Sequence, residues 1–213
     1  MNKIYIFSGL GVDQRVFDNI DFGNLDVEFI DWIEPLKNES LDNYAKRIAQ
    51  NLTVANPTLI GLSFGGMIAV EISKIVQTKK VILIASAKTK SELPEIYQVA
   101  GKLKIIKLIP DQLLKKQNFI TNWCFGLETK SDKQLLKRIL KDTNPNFLSW
   151  AINEILNWKN EEEPSHCFHI HGDKDRIIPI HNIKADFVIE NGGHFMTVNK
   201  AEEIEMIIKR ICE

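Results

Sequence analysis

Short continuous apolar runs alternate along this chain with stretches of helical spacing. Short apolar runs at Ile4–Phe7 and Val27–Asp31 read as buried strands, and Thr58–Leu62, Val81–Ala85, Cys167–Ile170 and Phe187–Ile189 read as four more. Helical spacing fills the gaps between them. Leu41, Tyr44, Ala45, Ile48, Ala49 and Leu52 mark one amphipathic helix, with Ser40 as the expected N-cap. From Met67 to Val76 almost no polar face remains, which predicts a buried helix. Ala201, Ile204, Ile207, Ile208 and Ile211 share one face of a final helix. Strands that alternate with helices predict an α/β fold, a doubly wound and mostly parallel six-stranded sheet in the order 2-1-3-4-5-6.

Residues 88–160 break the rhythm. The pattern there is helical throughout, with a capping box expected at Ser131–Gln134 and Asn144-Pro145 as N-cap and first helical residue. The expected organisation is therefore a core from residues 1–87 and 161–213, with 88–160 as an all-helical cap or lid insertion. Glu161–Pro164 reads as a solvated acidic linker.

Composition narrows the functional classes. A length of 213 residues suits one sizeable core, and a formal net charge of −1 supplies no field for nucleic acid or an anionic membrane. Three widely spaced cysteines suggest a reducing compartment rather than a disulfide framework. The opening apolar run ends at Phe7, too short for a signal peptide, and no window is long enough for a membrane span. The expectation is a cytoplasmic protein acting on a small molecule; oligomeric state is not legible.

Chemistry gathers in four loops, each at the carboxyl end of a predicted strand, where open α/β sheets bind ligands. Ser8-Gly9-Leu10-Gly11 follows the first strand, and Gly61-Leu-Ser63-Phe-Gly65 spans the end of the third. His171-Gly-Asp-Lys-Asp175 follows the fifth, and Asn191-Gly-Gly-His194 the sixth. Gly-x-Ser-x-Gly between an apolar run and a helix mounts a serine on a sharp turn, with glycines that let the backbone pass closely.

The motifs at Gly61–Gly65, His171–Asp175 and Gly193–His194, in the order Ser, Asp, His, resemble the α/β-hydrolase superfamily. The resemblance covers residues 1–87 and 166–213, and the helical insertion falls where that family carries a cap. Two departures stand out: the family's first two strands are missing, and only Ile180–Asp186 separates Pro179 from strand six, leaving the usual helix vestigial.

The resemblance implies a serine hydrolase of the carboxylesterase type. Ser63 would be the nucleophile, His194 its base, and Asp175 the group that fixes the imidazole tautomer. Backbone N–H groups of Phe64 and Leu10 would form the oxyanion hole. Asp173 remains open as the acid. Ester or thioester hydrolysis leads. C–C bond hydrolysis, lyase or perhydrolase chemistry with the same triad, and a non-catalytic ligand receptor, stay as alternatives, because fold and triad do not fix the substrate.

Other signals are weaker. Gly9-x-Gly11 lacks a glycine at position 14, which is Gln14, so no dinucleotide cofactor is expected. His169 and His171 share a strand face while His166 does not, and no carboxylate or thiol cluster completes a metal set; no metal is expected. Aromatic residues crowd the insertion, and Trp123, Phe147 and Trp150 are the candidates for an apolar acyl pocket.

Overall fold

The computed structural model describes residues 3–103 and 115–213. Residues 1–2, and the stretch 104–114 for which helix was expected, lie outside the described residues. Six strands form one all-parallel sheet in the order β2-β1-β3-β4-β5-β6. They are β1 (Ile4–Phe7), β2 (Val27–Ile30), β3 (Thr58–Leu62), β4 (Lys80–Ile84), β5 (Cys167–Gly172) and β6 (Phe187–Ile189). This is the predicted fold class and strand order.

β5 runs two residues beyond its apolar stretch. His171 and Gly172 pair with Val188 and Ile189 of β6, so a hydrophobicity criterion stops short of the true strand end. That extension carries His171 deep into the interior, where it is fully buried.

The period-two alternation of β1 sorts the core into two layers. Ile4 and Ile6 join Ile60, Ile82 and Ile170 on one face, covered by α7 (Ala201–Cys212) through Ile204, Ile208 and Ile211. Tyr5 and Phe7 point to the other face with Leu59, Val81 and Leu83. There they meet α1 (Leu41–Ala49) and α2 (Phe64–Ser73). Fully burying one such aliphatic side chain is worth about 1.5–3 kcal/mol, so each layer is held by many comparable contributions.

α2 is buried along Phe64–Ile72, as its lack of a polar face predicts. Its one buried acid, Glu71, accepts a hydrogen bond from Trp158 Nε1 at 2.8 Å and pairs with Lys74. Ser40 stands at the N-cap of α1, but its side chain makes no capping bond; Glu154 accepts from Leu41 N–H at 3.0 Å instead.

Between β4 and β5 the described residues form α3 (Glu95–Lys102), α4 (Phe119–Phe125), α5 (Lys130–Asp142) and α6 (Pro145–Leu156). Asn144 caps α6 with proline at the first helical position. The capping box of α5 lies two residues upstream of the expected one. Thr129 Oγ1 accepts from Asp132 N–H at 3.1 Å, and the Asp132 carboxylate accepts from Thr129 N–H at 3.0 Å. Two overlapping Ser/Thr-x-x-acid/amide patterns compete here, and the upstream pair starts the helix two residues earlier.

Candidate active site

The strand order reverses between β1 and β3, whose carboxyl ends are therefore neighbours. Ser63 leaves β3 there with φ +51° and ψ −118°, a conformation uncommon for a residue bearing a Cβ. Its backbone is held from both sides. Ser63 N–H donates to the Ile84 carbonyl at 2.9 Å, and the Ser63 carbonyl accepts from Ser86 Oγ at 2.6 Å. A Cβ on Gly61 would lie 2.4 Å from the Gly65 carbonyl oxygen, so the turn closes only because position 61 is glycine.

His194 arrives from the loop after β6. Its Nε2 lies 2.8 Å from Ser63 Oγ, and its Nδ1 lies 2.7 Å from Asp175 Oδ2. Asp175 Oδ1 accepts from the backbone N–H groups of Ile177 and Ile178 at 2.8 and 2.9 Å. Asp175 and His194 are both buried. Burial pushes the Asp175 carboxyl up, but the charge and hydrogen bond of His194, the proximity of His171 and the Ile178 N–H outweigh it. The net result is a pKa below the ordinary carboxylate value. Asp173, the other acid of that loop, pairs instead with Lys174 at 3.8 Å.

Ser63, His194, Leu10 and Phe64 all line one cavity of about 360 Å³. Among the described residues, no acceptor takes the backbone N–H of Leu10 or of Phe64. The Gly9 loop and the serine are in contact: a Cβ on Gly9 would lie 3.4 Å from Ser63 Cβ. The chain thus assembles a hydroxyl, an imidazole and two free amide donors around a single volume, with the Asp175 carboxylate behind the imidazole. A larger hollow of about 520 Å³, lined by Glu71, Lys74, Glu154 and Asn160, lies elsewhere on the surface and touches none of these groups.

No family model matches the sequence, and no curated protein matches it. Solved structures do match in shape. An esterase from Exiguobacterium antarcticum superposes with a TM-score of 0.70 at 17% identity, covering 100% of this chain and 92% of that one. A lipase-esterase related protein from Clostridium acetobutylicum ATCC 824 gives 0.69 at 18% identity, covering 99% and 94%. A meta-cleavage product hydrolase from Pseudomonas fluorescens IP01 gives 0.66 at 15%, covering 99% and 90%. The chain has the α/β-hydrolase fold.

Within that α/β-hydrolase fold, the three aromatic pocket candidates lie outside the cavity that Ser63 borders. Trp123 is about half exposed (52%), with the Arg176 guanidinium 4.5 Å over its ring, and it borders a separate hollow. Trp150 donates from Nε1 to the Glu39 carbonyl at 2.8 Å and packs on Tyr44, ring centroids 4.5 Å apart. Phe147 stacks on Trp32 at 5.6 Å. The physical reason is rotational. α6 turns Leu148, Ile152 and Ile155 toward the cavity, and Phe147 and Trp150 fall on the flank facing α1. The i, i+4, i+7 spacing of those three aliphatic residues was the available signal. Met67, Tyr97 and Ile178 also line the cavity and carried no legible mark in the sequence.

No helix of the described residues is long and apolar enough to cross a membrane. The three cysteines are free thiols.

Proposed function

We propose that the protein is a serine hydrolase that cleaves esters or thioesters of uncharged, apolar acyl groups through an acyl-enzyme. The hydrogen-bonded run Ser63–His194–Asp175 beside a cavity carries the reading. Ser63 Oγ adds to the substrate carbonyl while His194 Nε2 takes its proton. Asp175 holds Nδ1–H and stabilises the imidazolium that forms. Negative charge develops on the carbonyl oxygen, where Leu10 and Phe64 N–H can meet it; the latter sits at the first turn of α2. The tetrahedral species collapses, His194 protonates the departing alcohol or thiol, and water repeats the sequence to release the acid. Ser63, His194 and water account for every bond made and broken.

The acyl preference follows from the cavity wall. Side chains such as Val12, Met67, Leu148, Ile152 and Phe195 dominate it, and no Lys, Arg, Asp or Glu is among its described lining residues. A charged acyl group would lose its hydration there without gaining a partner. Much of that wall comes from α3, α4, α5 and α6, so these helices act as the cap over the serine. Free thiols are in keeping with a cytoplasmic setting.

The test is a panel of nitrophenyl esters with graded neutral and carboxylate-bearing acyl groups, run with wild type and Ser63→Ala. Turnover of the neutral esters, absent in Ser63→Ala and weak on the charged ones, is the expected result. Turnover that survives in Ser63→Ala removes Ser63 as nucleophile. Failure of a fluorophosphonate to label Ser63 favours a ligand receptor on this fold.

A further inference from the structure

Two histidines of β5 take no part in the steps above, yet both are fully buried. His171 Nε2 lies 2.8 Å from the Ile178 carbonyl, and its Nδ1 lies 3.2 Å from His169 Nε2. A carbonyl can only accept, so the His171 nitrogen facing Ile178 carries the proton. Its Nδ1 is then a bare lone pair, which requires the proton between the two rings to sit on His169 Nε2. The pair is therefore a directed chain: His169 donates to His171, and His171 donates to Ile178.

Ile178 is where this chain meets the site. Its carbonyl accepts from His171, and its own N–H donates to Asp175 Oδ1 at 2.9 Å. His171 Nε2 also lies 3.6 Å from Asp175 Oδ2, the oxygen that faces His194. That separation is too long for a hydrogen bond, so contact with the carboxylate runs through the turn. The turn spanning residues 175–178 is otherwise a short loop edge, and Ile178 also lines the cavity.

We infer that His171, oriented by His169, is a positioning residue that braces the Ile178 turn and so sets the direction of Asp175 toward His194. The inference rests on the serine-hydrolase reading. The charged and titratable groups around the pair are Asp175 and His194 on the loop side and Lys88 near His169; the Asp186 carboxylate accepts from His169 N–H at 2.8 Å. Burial, first of all, pulls both imidazoles below their usual pKa, so both stay neutral and keep the directed pattern at neutral pH. Two imidazoles in a sealed interior cost desolvation that aliphatic side chains would avoid, and the brace is what their hydrogen bonds supply in return.

The experiment pairs His171→Phe, which keeps ring bulk without the donor, with His171→Gln, which keeps an N–H that can reach the Ile178 carbonyl. Thermal midpoints are measured alongside kcat and KM on a neutral nitrophenyl ester. In folded His171→Phe, kcat falls by about tenfold to a hundredfold with KM within about twofold, the signature of a misaimed group rather than lost binding. His171→Gln recovers most of that loss. A folded His171→Phe with wild-type kcat overturns the inference, as does His171→Gln impaired as severely as His171→Phe. Should His171→Phe fail to fold, imidazole 15N shifts of the wild-type protein decide: Nε2–H on His171 is required, and Nδ1–H refutes it. A wild type without Ser63-dependent turnover would instead fault the hydrolase reading, and the 15N tautomer would still report on the brace.

Discussion

A Cβ built on Gly65 would lie 2.3 Å from the Phe7 carbonyl oxygen, so the first turn of α2 packs directly on the end of β1. The approach leaves no room for any side chain, and the clash is with backbone that cannot swing away. It also aligns the loop after β1 with the serine turn, which is how Leu10 and Phe64 come to border one cavity.

Gly65→Ala should therefore pry α2 from β1. The expected outcome is a destabilisation of about 1–3 kcal/mol, as for an overpacked core, with esterase activity lost by more than the fold is weakened. Urea denaturation and kcat/KM measured on the same preparation check it, and a variant of wild-type stability and activity would contradict the close approach.

Ser63 carries strain that its Cβ creates. At φ +51° and ψ −118°, glycine fits without penalty. Ser63→Gly should be more stable than Ser63→Ala by about 1–3 kcal/mol, although both lack the hydroxyl. Equal denaturation midpoints for the two variants would show that the turn is relaxed.

The two acids of the loop after β5 should separate cleanly. Asp175→Asn keeps shape but disturbs the His194 tautomer, and kcat should fall by about 10³–10⁴-fold. Asp173→Asn, which removes only the pairing with Lys174 at 3.8 Å, should leave kcat within about twofold. Steady-state kinetics on one neutral ester decides between them, and the reverse ranking would reassign the acid.

Acid should weaken the fold before Asp175 protonates. Burial, then the neighbouring His171, pulls His169 from 6.5 down to about 3, and burial lowers His171 as well. A histidine depressed in the folded state contributes stability that is complete above the unfolded value of 6.5. That contribution is lost as pH falls toward the folded value, because only the unfolded chain takes up protons in between. The slope is at most about 1.4 kcal/mol per pH unit for each ring that stays neutral. Asp175, also depressed, adds a loss only at lower pH, below its ordinary value of 3.8. Unfolding free energy should thus drop measurably between pH 7 and pH 5; a flat profile over that range would mean the pair is hydrated or already charged.

The sequence by itself determined the layers and their order. Short continuous apolar runs such as Ile4–Phe7 read as strands sandwiched between helices, and the Met67–Val76 stretch, with almost no polar face, reads as interior, because burial follows directly from residue type and spacing. Local motifs also made Ser63, Asp175 and His194 candidates, since a glycine-flanked serine and loop-borne acids and histidines advertise themselves within a few residues. What pointed where was decided only in three dimensions. Phe147 and Trp150 turn to α1, and Trp123 to Arg176, because the rotation of a helix about its axis depends on partners distant in the chain. The same holds for the buried His169–His171 pair: its meaning comes from the Ile178 carbonyl, which only the folded loop brings within reach. Composition and periodicity report which side chains leave water, whereas their neighbours are set by long-range packing, and catalysis is a matter of neighbours.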